Sequence, residues 1–97
     1  MQLDLTGRHA FVCGASQGIG RASAIELAEL GANVTVLARS VDALKELVDQ
    51  LPRKHQEQRH AWRTADMLDT AMLAGVATDV AAGNPVHILI NNTGGPP

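Results

Sequence analysis

Tyrosine is missing from this 97-residue chain, and its aromatic residues number two, Phe11 and Trp62. Any core must therefore be built mostly from Ala, Val, Leu and Ile, within an apolar content of 45% that is ordinary for a globular protein. A single cysteine, Cys13, excludes an internal disulfide and fits a reducing compartment. Eight Lys and Arg against ten Asp and Glu leave a net charge of −2 with no basic stripe, so binding to nucleic-acid phosphates has little support. No apolar run approaches the ~20 residues that span a bilayer. The start, Met1-Gln2-Leu3-Asp4-Leu5, lacks the basic and apolar regions of a signal peptide. His9, His55, His60 and His87 fall on different predicted elements without ligand spacing, which argues against a metal site. These absences lead us to expect one soluble, cytoplasmic domain over residues 1–97, with neither nucleic acid nor membrane as a partner.

Strand and helix patterns alternate along the whole chain. His9 to Cys13 is an apolar run that predicts a first strand. Apolar positions recur at helical spacing from Gly18 to Leu30, and Gly31 is placed to end that helix. Asn33 to Ala38 is a second strand, apolar on both faces. Ser40 is suited to cap a second helix bearing Val41, Leu44, Leu47, Val48 and Leu51 on one side, with Pro52 as the stop. After a polar stretch from Arg53 to Arg59, His60 to Thr64 predicts a weaker third strand. Asp69 to Ala82 is an Ala-rich third helix, and Val86 to Ile90 a fourth strand. Asn91 to Pro97 is a turn-forming tail.

This alternation predicts an α/β fold, with a Rossmann-type parallel sheet in the order 3-2-1-4 and helices on both faces. A ligand crevice then lies outside the carboxyl ends of the first and fourth strands. The richest candidate site falls there: Cys13-Gly14-Ala15-Ser16-Gln17-Gly18-Ile19-Gly20 links the first strand to the first helix. Gly14 can take backbone angles closed to other residues, and Gly18 and Gly20 have no Cβ to obstruct a ligand or a packed strand. The first N–H groups of the helix beyond are unpaired, and its dipole favours an anion. Phosphates of a nucleotide match that arrangement.

Arg39 and Ser40 follow the second strand. A carboxylate in this place holds ribose hydroxyls in NAD-binding sheets, whereas an Arg accommodates a 2′-phosphate. No acid occurs before Asp42, so NADP(H) is favoured over NAD(H), and a methyltransferase using S-adenosylmethionine is disfavoured for want of that acid. Arg39 is equally compatible with a solvated side chain pairing with Asp42. Asp66, after the third strand, suits either an adenine amino group or the cap of the next helix. Cys13 reads as an inert core thiol.

The glycine spacing differs from G-x-G-x-x-G and lacks the Gly-Lys-Ser/Thr ending of a P-loop. It resembles the T-G-x-x-x-G-I-G turn of the short-chain dehydrogenase/reductase family, with Cys13 in place of the usual Thr. Asn91-Asn92-Thr93-Gly94 is similar to that family's N-N-A-G motif, Thr93 replacing Ala. Gly95-Pro96-Pro97 resembles a 3-oxoacyl-acyl-carrier-protein reductase-like subgroup. The resemblance implies a dinucleotide cofactor held by Gly14, Ser16, Gln17, Gly18, Ile19 and Gly20, by Arg39 and Ser40, by Asp66 and the Met67 backbone, and by Asn92, Thr93 and Gly94.

It also implies hydride transfer between the nicotinamide and a carbonyl or alcohol, assisted by a Ser and a Tyr-x-x-x-Lys pair. With no Tyr, these 97 residues lack that pair, so we name no catalytic residue and expect the chain alone to be inactive. The fourth strand, apolar on both faces, is expected to be central in its sheet. The reading is thus the cofactor-binding first portion of a longer oxidoreductase, truncated before the remaining strands and forming a homo-oligomer or joining its missing carboxyl-terminal half. The alternative is a non-catalytic nucleotide-binding or association module.

Overall fold

Runs of β-branched and aliphatic residues separated by helical segments give the order β1 (His9–Cys13), α1 (Gly18–Glu29), β2 (Asn33–Ala38), α2 (Val41–Gln50), β3 (Ala61–Thr64), α3 (Thr70–Gly83) and β4 (Ile88–Asn91). The structure, a computed structural model, describes residues 3–15, 18–66 and 69–91. All pairings are parallel, in the order β3-β2-β1-β4. The expected topology is present, with small differences at the ends of elements. β3 begins at Ala61 rather than His60, and β4 runs from Ile88 to Asn91 rather than from Val86 to Ile90. His60 and His87, just ahead of these strands, turn their imidazoles onto a neighbouring strand, so side chains take over where the ladders begin.

Strand residues alternate between two layers because successive side chains point to opposite faces. Val12, Val34 and Val36 face α1 and α2, where they pack in one core with Ala24, Ala28, Leu44 and Leu47. Phe11, Cys13, Leu37 and Ala65 face the other way, toward Val80 of α3. The two layers are unequal. α2 sets fully buried Leu44 and Leu47 against the sheet, each contributing about 1.5–3 kcal/mol by burial. α3 is dominated by Ala, Gly and Thr and buries only Val80 among its residues. A cleft of about 380 Å³ lies beside it, lined by Phe11, Cys13, Leu73, Ala77 and Leu89 among others.

Local chemistry sets each helix end. Gly31, with φ of +102°, closes α1: its N–H bonds the Ala28 carbonyl at 3.0 Å and the Ala32 N–H bonds the Leu27 carbonyl at 3.1 Å, the paired closure of a Schellman motif. Ser40 caps α2 by accepting the Ala43 N–H at 3.2 Å, and Asp69 caps α3 by accepting the Met72 N–H at 3.0 Å. The chain then returns to the sheet through Gln58, which the sequence pattern did not single out. This side chain is buried; its amide donates to the carbonyls of Ala28 and Ala32 at 2.9 and 2.8 Å. Its oxygen accepts the N–H groups of Lys54 and His55. One residue thereby joins the end of α1 to the loop before β3.

Gln58→Ala removes a partner from four backbone groups at once, of which the Ala28 carbonyl keeps its bond from the Gly31 N–H. Since each buried group left unsatisfied costs about 1–3 kcal/mol, the variant should lose at least ~2 kcal/mol after partial rescue by water. Urea unfolding followed by circular dichroism measures the loss, and an unchanged midpoint would show that the buried amide is not a structural tie.

Candidate functional site: the carboxyl edge of the sheet

Strand register determines which residues meet at the carboxyl edge. Cys13 lies level with Leu37 of β2 and with Asn91 of β4, while Ala38 lies level with Thr64 of β3. The chain leaving β1 stays beside β2, because the N–H groups of Gly14 and Ala15 both reach the Leu37 carbonyl, at 2.8 and 3.1 Å. The Ala65 N–H continues the ladder onto the Ala38 carbonyl at 3.2 Å. Gly14, Arg39, Asp66 and Asn91 thus emerge along one edge, from four different strands.

Within the turn after β1 the glycines have different reasons. Gly14 and Gly18 occupy the left-handed region, with φ of +74° and +64°, which glycine enters without the strain a Cβ brings. Gly20 is the point of contact between helix and strand: a Cβ built there would lie 2.2 Å from the Gly14 carbonyl oxygen. Around Gly18 the space is open, with no atom within 4 Å of such a Cβ. Ile19 is 74% exposed beside it, an unusual place for a large apolar residue on a helix whose later residues Ala24 and Ala28 are buried. The first turn of α1 therefore presents N–H groups that have no acceptor within the helix, and the positive end of a twelve-residue helix, to an open side. This is chemistry suited to an anion and room in which to place one. A dinucleotide's pyrophosphate fits it.

Arg39 and Ser40 are exposed just past β2. The Ser40 hydroxyl oxygen is engaged as the α2 cap, which fixes where that helix starts and puts Asp42 in its first turn. Among the described residues no ion pair joins Arg39 to Asp42, and Arg39 is exposed at the edge. Asp66 is exposed after β3, and its carbonyl accepts the Asp69 N–H at 2.9 Å. The capping role open to Asp66 in the sequence belongs instead to Asp69. Asn91 is the last residue of β4, rather than the first of a tail. Ser16, Gln17, Met67, Asn92, Thr93 and Gly94, all singled out above, lie outside the described residues.

Cys13 is buried at the end of β1, and burial pushes its thiol up from the ordinary value of 9.0. It stays protonated at neutral pH, so this strand end supplies packing and no nucleophile. No three of His, Cys, Asp or Glu come together among the described residues. No helix there is long and apolar enough to cross a membrane.

Comparison with known proteins agrees with the fold. The family model described as short chain dehydrogenase matches residues 8–97, so this chain belongs to the short-chain dehydrogenase/reductase family. Polyprenol dehydrogenase of Mus musculus is 37% identical over 89 residues, covering 91% of this chain and 27% of the relative. D-erythrulose reductase of Gallus gallus is 37% identical over 90 residues, covering 93% of this chain and 33% of the relative. Among solved structures, L-sorbose reductase from Gluconobacter frateurii, complexed with NADPH and L-sorbose, superposes with a TM-score of 0.84 at 31% identity. That match covers 98% of this chain and 36% of the reductase. The chain therefore spans roughly a quarter to a third of the curated relatives named here, 27% and 33% of their lengths.

Two glycine substitutions separate close approach from simple helix propensity. Gly75, in α3, faces open space, so Gly75→Ala should stabilise by up to ~1 kcal/mol. Gly20→Ala drives a methyl into the Gly14 carbonyl and should cost at least ~1–3 kcal/mol, the range for overpacking. Thermal unfolding of the two variants tests this, and equal shifts would contradict the packing assigned to Gly20.

Proposed function

We propose that this chain is the NADP(H)-binding portion of a short-chain dehydrogenase/reductase that interconverts a carbonyl and an alcohol. The observation that carries the cofactor preference is Arg39, exposed at the carboxyl end of β2 with no carboxylate before Asp42. A planar guanidinium there suits a 2′-phosphate dianion, and Ser40 holds the start of α2 beside it. The NADPH bound to the related L-sorbose reductase supports a dinucleotide of this kind.

In this reading the unpaired N–H groups of the α1 first turn hold the pyrophosphate, with Gly14 and Gly18 shaping the turn and Gly20 letting the helix approach. Ser16, Gln17 and Ile19 line the same turn. Asp66 accepts from the adenine amino group while the Met67 backbone borders the base. Asn92, Thr93 and Gly94 follow β4 toward the ribose and nicotinamide. The bound cofactor supplies the hydride. The proton-transfer pair implied by the family includes a Tyr, which these 97 residues do not contain, so they bind without turning over. The lone buried Cys13 accords with a reducing cytoplasm.

Calorimetric titration of NADPH and NADH into the chain tests this, with circular dichroism confirming that it is folded. NADPH should bind more tightly. Arg39→Ala should weaken NADPH by about ten- to a hundredfold, the loss of one charged hydrogen-bonding partner, and leave NADH nearly unchanged. Equal losses for the two cofactors would refute the 2′-phosphate assignment. Binding of neither by the folded chain would favour an association module instead. No carbonyl-dependent oxidation of NADPH is expected from these residues alone.

A further inference from the structure

At the opposite, amino-terminal end of the sheet, two histidines occupy equivalent places. His60 stands one residue before β3 and His87 one residue before β4. Extending the registers back by one step sets His60 opposite Val34 and His87 opposite His9. Each ring reaches back to that same residue: His60 Nδ1 lies 3.2 Å from the Val34 backbone N, and His87 Nδ1 lies 3.0 Å from the His9 backbone N. A backbone N–H only donates, so both Nδ1 atoms must be acceptors and carry no proton. His60 Nε2 in turn donates to the Pro52 carbonyl, 2.9 Å away. The His87 N–H returns a bond to the His9 carbonyl at 2.9 Å. Where each parallel ladder begins, an imidazole nitrogen replaces the carbonyl that the neighbouring strand does not extend far enough to offer.

We propose that His60 forms an acid-sensitive latch at the amino-terminal end of the sheet, in which protonation of its ring releases β2 from β3 at their first residues. An imidazolium carries hydrogen on both nitrogens and has no lone pair for either strand N–H. At half-buried His60 desolvation disfavours such a cation and the Pro52 carbonyl favours it, whereas His87 is exposed. Arg53 opposes it at His60 from the segment after α2. His9 faces His87 from β1, its own Nδ1 donating to the Asn84 carbonyl at 2.9 Å and its Nε2 joined to the Thr35 hydroxyl at 2.8 Å. Desolvation holds His60 below the ordinary histidine value of 6.5. Folding therefore favours its neutral form. Its contribution to stability is complete above 6.5 and is lost as pH falls below that value and through the lowered one. The latch is independent of the cofactor reading, since it lies at the other end of the strands.

Nitrogen-15 spectra of the imidazoles in the full 97-residue chain, recorded with amide exchange across pH 7.5 to 5, test the proposal. The His60 ring should carry its single proton on Nε2 at pH 7.5. Exchange protection at Val34, relative to the interior amides of Val12 and Val36, should then fall severalfold toward pH 5. His60→Asn supplies an oxygen near Nδ1 that does not titrate, and should flatten that pH dependence. A proton on Nδ1 of His60, or protection independent of pH in the unmodified chain, would overturn the latch. If the variant does not fold, the tautomer and protection of the unmodified chain decide.

Discussion

The approach of Gly20 to the Gly14 carbonyl is the contact on which the candidate site depends. It fixes how near α1 begins to the end of β1, and hence where the first-turn N–H groups of that helix are held. The same turn is anchored from the strand side, because the Leu37 carbonyl accepts both the Gly14 and Ala15 N–H groups. Any side chain at position 20 would push helix and strand apart, opening the bonds that align β1 with β2. Arg39 leaves the sheet only two residues after Leu37. Backbone contact at one glycine thus sets the spacing between a helix dipole and a guanidinium carried by a different strand.

Much of this was legible in the sequence because the determinants are local and periodic. The alternation of apolar strands and helical segments specified the element order, and right-handed crossovers then left one plausible strand order. Gly31 and Ser40 announced helix ends through backbone chemistry that acts within a few residues. Arg39 was readable as a basic residue at a strand end because β2 was bounded on both sides. The roles of long-range side chains were not readable. Gln58 sits in a stretch that looks polar and solvated, yet it is buried against carbonyls from residues 28 and 32. Nothing in its sequence neighbours reveals that partner set. Asp66 was readable as a cap for the third helix, yet the side chain that accepts the Met72 N–H is that of Asp69.

Histidines show the same limit. Their spacing discouraged a metal reading, since ligands must converge and these fall on separate elements. What spacing does not express is that two of them stand at the same step of two successive crossovers. That equivalence follows from register, which is a property of paired strands, and it accounts for the late starts of β3 and β4. An imidazole in the ladder position satisfies the N–H that a further strand residue would otherwise have to reach.

The two ends of the sheet consequently solve the same problem by different chemistry. Parallel strands leave backbone donors and acceptors unpaired at both margins, and a buried margin must satisfy them or expose them. At the carboxyl end the first-turn N–H groups of α1 have no acceptor within the helix, which suits a site meant to receive an anion. At the amino end the His60 and His87 rings accept strand N–H groups, leaving the backbone there committed. The division lets one margin remain chemically available while the other holds the strands in register. It also separates their sensitivities: the open margin depends on space and charge, and in the proposed latch the closed one depends on the protonation state of His60.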